Sequence, residues 1–308
     1  SYDGGDTFMT PVSVSSGVSY YLLSVTGTAF STLDLEVESG GNPHVTFAFV
    51  STADRQRKRN VYYTRSADGG STWDTPKIVN DHNTVGNLEG RRTAFPRMAI
   101  DDRDNIFISY VRGTSRGTGT GDIMLAKVNR SNFGIADIGE TGNAGTGGVR
   151  LTDNGKRHTG PDLAVGDGDA LHVIYFNDDD DAIEHKRSRT DTTWLDVTSA
   201  GWGQDVDGAA VGSFVDELAN TAVEQEADYF FPSVVVDRLM VPDRVYALYK
   251  FGNTGDETIN FNQYDDDGTS GVSAAWGTAS AVWSTGGTLF TDGDNQYNVE
   301  LDWTITER

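Results

Sequence analysis

Cysteine is absent from all 308 residues, which excludes a disulfide framework and leaves the redox compartment unread. Lysine is scarce: six, beside 18 arginines, 35 aspartates and 11 glutamates, for a formal charge of −22. A balance this acidic argues against binding nucleic acid or anionic membranes through general electrostatics. No stretch approaches the ~18 consecutive apolar residues of a membrane span, and no signal-peptide pattern opens the chain. It begins at Ser1 rather than Met, as a processed or excised chain would. Helical patterning is scarce as well: only residues 213–228 read as a helix, with Ser213 as cap and Asp216-Glu217 in its first turn. The acid excess has two readings. An Asp-rich, Lys-poor surface resembles that of halophilic proteins, whose self-repulsion is screened at molar salt. Equally, aspartates serve turns in an all-β protein.

What the chain does have is a repeat. An alternating strand, often opened by Pro, leads through an Asp/Gly turn into a second, apolar strand. The unit reads Leu33-Asp34-Leu35-Glu36-Val37, a turn at Gly40-Gly41-Asn42, then 44–50. It returns at Pro96-Arg97-Met98-Ala99-Ile100, at Pro161-Asp162-Leu163-Ala164-Val165 and at Pro232-Ser233-Val234-Val235-Val236. Starts at 33, 96, 161 and 232 are 63, 65 and 71 residues apart. That spacing suits four-stranded sheets set around an axis. A fifth unit is split, with 288–290 and 297–305 as its first two strands and the first residues of the chain as its outer part. The expected architecture is therefore a single all-β domain, residues 1–308: a β-propeller of four-stranded blades, five rather than six. Its blades lie near 33–80, 96–152, 161–198, 232–284 and 285–308 with 1–14, so that N- and C-terminal strands share one blade.

Between two strand-like runs stands Ser66-Ala67-Asp68-Gly69-Gly70-Ser71-Thr72-Trp73. Asp-Gly-Gly at that place is a hairpin turn signal, and the Ser and Asp side chains can bond the turn's own backbone. Ser66, Asp68, Gly70, Thr72 and Trp73 match Ser-x-Asp-x-Gly-x-Thr-Trp. A second copy opens the chain at Ser1, Asp3, Gly5, Thr7 and Phe8, and a worn third falls at 188–194. The octapeptide resembles the Asp-box of the sialidase-like, bacterial neuraminidase repeat β-propellers. The resemblance implies a propeller in which the box is a structural turn remote from substrate. It also implies where to look for catalysis, and there the match thins. Family members carry Arg-Ile-Pro as part of a three-Arg cluster gripping the substrate carboxylate; here the segment is Phe95-Pro96-Arg97. Arg92, Arg97 and Arg112 are the candidates for such a cluster. The family's Tyr nucleophile needs a neighbouring Glu, for which Tyr229 with Glu226 is the candidate pair. Asp162 joins them as a candidate carboxylate for glycosidase chemistry.

Propeller geometry sends the connections between second and third strands, and between blades, to one face. Half of the 24 basic residues fall on or beside that face. Arg91, Arg92, Arg97, Arg112, Arg157 and His158 are the candidate ligand contacts, because Arg grips carboxylate or sulfate bidentately. The alternative is that these cations pair with nearby Asp and Glu. Calcium is the one candidate cofactor, through Asp178, Asp180, Asp265 and Asp267 in oxygen-rich turns, although none matches the twelve-residue hand loop. His spacing does not suit zinc, and Asn129-Arg130-Ser131 is a glycosylation sequon. The leading expectation is a recognition protein without catalysis, secreted or on a cell or virion surface. It would bind an anionic glycan or acidic surface, as a viral attachment protein does. A sialidase-like glycoside hydrolase and a protein–protein interaction module are the alternatives.

Overall fold

The computed structural model describes residues 10–14, 20–21, 33–51, 59–80, 93–113, 121–129, 133–135, 149–152, 155–166, 170–180, 182–187, 215–219, 232–239, 242–251, 258–266 and 280–284. Every regular element among them is a strand, in three antiparallel sheets. The first unit joins β2 (Leu33–Val37), β3 (Pro43–Ser51), β4 (Arg59–Arg65) and β5 (Lys77–Ile78), and β1 (Tyr20–Tyr21) lies on the edge of β3 beyond β2. The second joins β6 (Thr93–Ile100), β7 (Ile106–Gly113) and β8 (Gly121–Asn129), with β9 (Gly134–Ile135) and β10 (Val149–Arg150) both paired to β8. The third runs β11 (His158–Val165), β12 (Leu171–Asn177), β13 (Ala182–Arg187) and β14 (Val215–Ala219). The fourth runs β15 (Ser233–Asp237), β16 (Asp243–Phe251), β17 (Thr258–Asp266) and β18 (Ser280–Ser284). A single pairing of His158 with Gly121 merges the second and third units into one sheet.

The strands follow period-2 alternation, and the two faces of each sheet serve different neighbours. On β7 and β8, Phe107, Val111, Ile123 and Leu125 pack with Leu163, Val165, Val173 and Tyr175 of the third unit. The intervening Ile106, Ile108, Tyr110, Met124 and Ala126 pack with Ala48, Val61 and Tyr63 of the first. Ile174, Phe176 and Ile183 then meet Val234, Val236, Val245 and Tyr249 of the fourth. The core thus lies between successive sheets stacked face to face, and burying each such aliphatic or aromatic side chain stabilises by about 1.5–3 kcal/mol. The first strands of the units stand side by side, β2 against β6, β6 against β11 and β11 against β15.

At the far end of these strands the hairpin turns are tied together. Ser39 donates from N and Oγ to the Asp104 carboxylate, both at 2.9 Å. Arg238 donates from Nε to the Val165 carbonyl at 2.7 Å and pairs with Asp102. One element departs from expectation: residues 215–219, read as part of a helix, form β14. Its backbone pairs with five consecutive residues of β13, whose outer edge would otherwise expose unpaired amides. Tertiary pairing overrides a weak helical signal.

Candidate functional site

The four first strands carry the same position in register: Asp34, Arg97, Asp162 and Ser233, each second in its repeat unit. Among the described strands β6 and β15 stand at sheet edges, where outward amides need an acceptor other than a strand. Asp34 Oδ2 accepts the Met98 N–H at 2.7 Å. Asp162 Oδ2 accepts the Val234 N–H at 2.8 Å and the Ser233 hydroxyl at 3.0 Å. Each aspartate thereby latches its strand to the first strand of the next unit. Arg97 occupies the latch position of the second unit but is a donor only. Its Nη1 lies 4.0 Å from Asp34 Oδ1, a loose ion pair.

The backbone presents these side chains through a repeated irregularity. Register shifts fall between Ala94 and Arg97 and between Thr159 and Asp162. Phe95 and Gly160, each just before the proline, adopt φ of 53° and 57°. Positive φ is strained for Phe95, and its burial in the core against the third unit holds it there. Proline has no N–H to lose at a bulge. Burial pushes the Asp162 carboxyl up to about 6, against the pull of Arg97 and of the Val234 N–H, while the charge of Asp34 adds to the rise. A guanidinium beside two carboxylates, one of them held well above the ordinary carboxylate value, can hold a polyhydroxylated or acidic ligand and can exchange a proton with it.

The remaining candidate cations described are engaged with carboxylates. Arg112 is buried with its Nη2 3.4 Å from Asp122. Arg157 meets Asp178 at 2.9 Å and Asp179 at 2.8 Å, and Lys156 pairs with Asp180. His158 is fully buried. It stands edge-on to Tyr175, with Nδ1 3.3 Å from the Gly121 carbonyl and Nε2 3.8 Å from Glu184. Burial holds its pKa below the usual imidazole value, against the pull of Glu184. Asp265 is held by Arg244 at 2.6 and 3.3 Å. The calcium candidates Asp178, Asp180 and Asp265 thus turn their oxygens to cationic side chains. Among the described residues no three His, Asp or Glu side chains converge on a metal position. Arg91, Arg92, Glu226, Tyr229 and Asp267 lie outside the described residues.

The octapeptide turn is self-bonded. Ser66 Oγ accepts from the N–H of Gly70 at 2.7 Å and of Asp68 at 3.2 Å, and donates to Asp68 Oδ1 at 2.7 Å. Asp68 accepts both the N–H and the hydroxyl of Thr72, at 2.8 and 2.7 Å. Gly69 and Gly70 take φ of 68° and 96°, and Trp73 packs on Val45, Phe47 and Tyr62. Ser1, Asp3, Gly5, Thr7 and Phe8, and the stretch 188–194, lie outside the described residues. Asp34 and Ser233 went unread as site residues; the signal for them was the second column of the repeat, which runs Asp, Arg, Asp, Ser.

No family model and no curated protein matches the chain. Among solved structures it is similar to an ulvan lyase of a new polysaccharide lyase family, at 14% identity and a TM-score of 0.48, covering 76% of this chain and 52% of that one. An α-L-arabinanase of Penicillium chrysogenum complexed with arabinobiose gives 14% and 0.47, covering 80% of this chain and 65% of that one. A Hadza microbial sialidase gives 13% and 0.33, covering 82% and 58%. The chain therefore spans between about half and two thirds of the length of these structures.

Proposed function

We propose that the chain is a β-propeller of five units and that it recognises an acidic saccharide where Arg97 stands among Asp34, Asp162 and Ser233. The observation that carries this reading is the break in the latch pattern. At one position in three of the four described units an oxygen side chain takes part in a link between neighbouring strands; in the second unit an arginine takes that position. A departure from a repeat's own rule marks a functional site when no packing gain explains it. The Arg97 guanidinium would bind a sugar carboxylate or sulfate beside its ion pair with Asp34, and the aspartates and Ser233 would bond its hydroxyls. A charge-assisted bond of this kind contributes about 1.5–3 kcal/mol, so Arg97→Ala should weaken binding by roughly 10- to 150-fold. The test is an array of uronate and sulfated glycans in high KCl, with each spot followed by mass spectrometry. Unchanged retention by Arg97→Ala would sink the site. An extracellular or virion-surface location belongs to the same reading.

A second reading, a glycoside hydrolase, draws on the Asp162 carboxyl near 6, a value suited to a general acid. Cleavage on the array by the parent chain, lost in Asp162→Asn, would establish it in place of simple recognition.

A further inference from the structure

Two of the first strands carry the same bulge, built from different residues. On β6 three residues step from Ala94 to Arg97 while β7 advances two, from Val111 to Ser109. On β11 the step from Thr159 to Asp162 is set in the same way against Phe176 and Ile174 of β12. Each bulge inserts one extra residue and turns the backbone to positive φ just before a proline, at Gly160 (57°) and at Phe95 (53°). Glycine meets that conformation without steric cost, whereas a bulky residue is strained in it. The second unit therefore departs from the third at two neighbouring places. Phe95 stands where glycine sits more easily, and Arg97 stands where an oxygen side chain latches.

The phenyl ring gives a reason for the strained residue. Phe95 is 6% exposed and belongs to the apolar cluster that joins Phe107 and Val111 of the second unit to Leu163 and Val165 of the third. Arg97 opposes Ser109, on the sheet face that carries Phe107 and Val111. Its side chain therefore sets out toward the third unit, where the Asp162 carboxyl feels its charge. The Asp34 contact at 4.0 Å holds the guanidinium only loosely, so its place depends on where the backbone launches the stem. We propose that Phe95 is the positioning residue of the Arg97 site: its buried ring fixes the bulge, and the bulge aims the guanidinium at the carboxylates of Asp34 and Asp162. Strain held in place by packing preorganises a binding group in this way. The inference rests on the reading of Arg97 as the ligand contact.

The test needs no ligand, because the titration of Asp162 reports where the Arg97 charge lies. Carboxyl-carbon NMR shifts follow that titration in the parent, Arg97→Gln, Phe95→Gly, Phe95→Leu and Leu125→Ala. Arg97→Gln sets the upper limit, a rise in midpoint of about one pH unit or more. Phe95→Gly should produce most of that rise even though it relieves the strained φ. Phe95→Leu, which keeps a smaller apolar anchor, should produce a lesser part. Leu125→Ala opens the same cluster away from the bulge, so it should lower the melting temperature and leave the midpoint parental. An unmoved midpoint in Phe95→Gly, or an equal rise in Leu125→Ala, overturns the proposal. If Phe95→Gly does not fold, Phe95→Leu decides, and an unmoved midpoint there overturns it as well. The same chains are then laid on the glycan array. Shifted midpoints with no retention by the parent would keep Phe95 in its role and sink the ligand reading. Retention lost in Arg97→Gln with unmoved midpoints in the Phe95 variants would keep the ligand site and sink the role of Phe95.

Discussion

Asp68 and Asp162 show how far one residue type is driven apart by its surroundings. Asp68 is fully exposed, yet the Thr72 hydroxyl and amide and the Ser66 hydroxyl hold its carboxyl down at about 2. Its folded pKa lies below the unfolded value, so its contribution is present above about pH 4 and is lost as pH falls toward 2. Asp68→Asn should therefore melt below the parent at pH 7, with the gap closing by pH 2 in a thermal-melt series. Asp162 has the opposite sign. Its carboxyl is raised from 3.8 to about 6, chiefly by burial, so the native state holds the proton more tightly and stability falls as pH rises through that window. The loss is on the order of 3 kcal/mol and complete above the folded value. Asp162→Asn keeps an oxygen for the Val234 N–H and removes the ionisation. Its melting temperature should rise relative to the parent between pH 4 and pH 7; a constant difference would refute the burial account.

At the scale of elements, turns and latches separate two kinds of stabilisation. Gly70 holds φ of +96° and a Cβ there would meet only Pro43, at 3.8 Å. The cost of Gly70→Ala is then backbone strain alone, about 1 kcal/mol, measurable as a lowered denaturation midpoint. The latch is different in kind. Asp34→Ala leaves the Met98 amide without its acceptor, at a cost of about 1–3 kcal/mol, whereas Asp34→Asn retains an oxygen. Hydrogen exchange at Met98 should accelerate in the alanine variant and stay near parental in the asparagine one. The first two strands of each described unit were readable because alternation and Asp/Gly turns are local signals. β14 was not, because its partner β13 lies about thirty residues earlier and only pairing with that edge makes it a strand.

For the whole molecule, 46 acidic side chains outnumber 24 basic ones. Arg157, Arg238 and Arg244 each pair with aspartates, yet the acidic side chains still exceed the basic ones by 22. Self-repulsion of a −22 chain opposes compaction, and at 1 M salt the Debye length falls to about 3 Å. Thermal stability should rise from 0.1 M to molar KCl by more than an uncharged osmolyte produces. Equal gains from both would assign the aspartates to turns.

The amino-acid sequence by itself determined the strand period, the turn chemistry at Ser66–Trp73 and the spacing of the repeat, since all of these act over a few residues or recur along the chain. Only the tertiary structure decided which polar groups meet. The basic residues Lys156, Arg157 and Arg112 find carboxylates. His158 turns inward against Tyr175. Asp34 reaches an amide 64 residues away, and Asp162 one 72 away. Those partnerships depend on how stacked sheets bring first strands side by side, and the physical reason they escape local reading is that the packing of apolar faces distant in sequence, not the neighbouring residues, decides which polar groups come within reach.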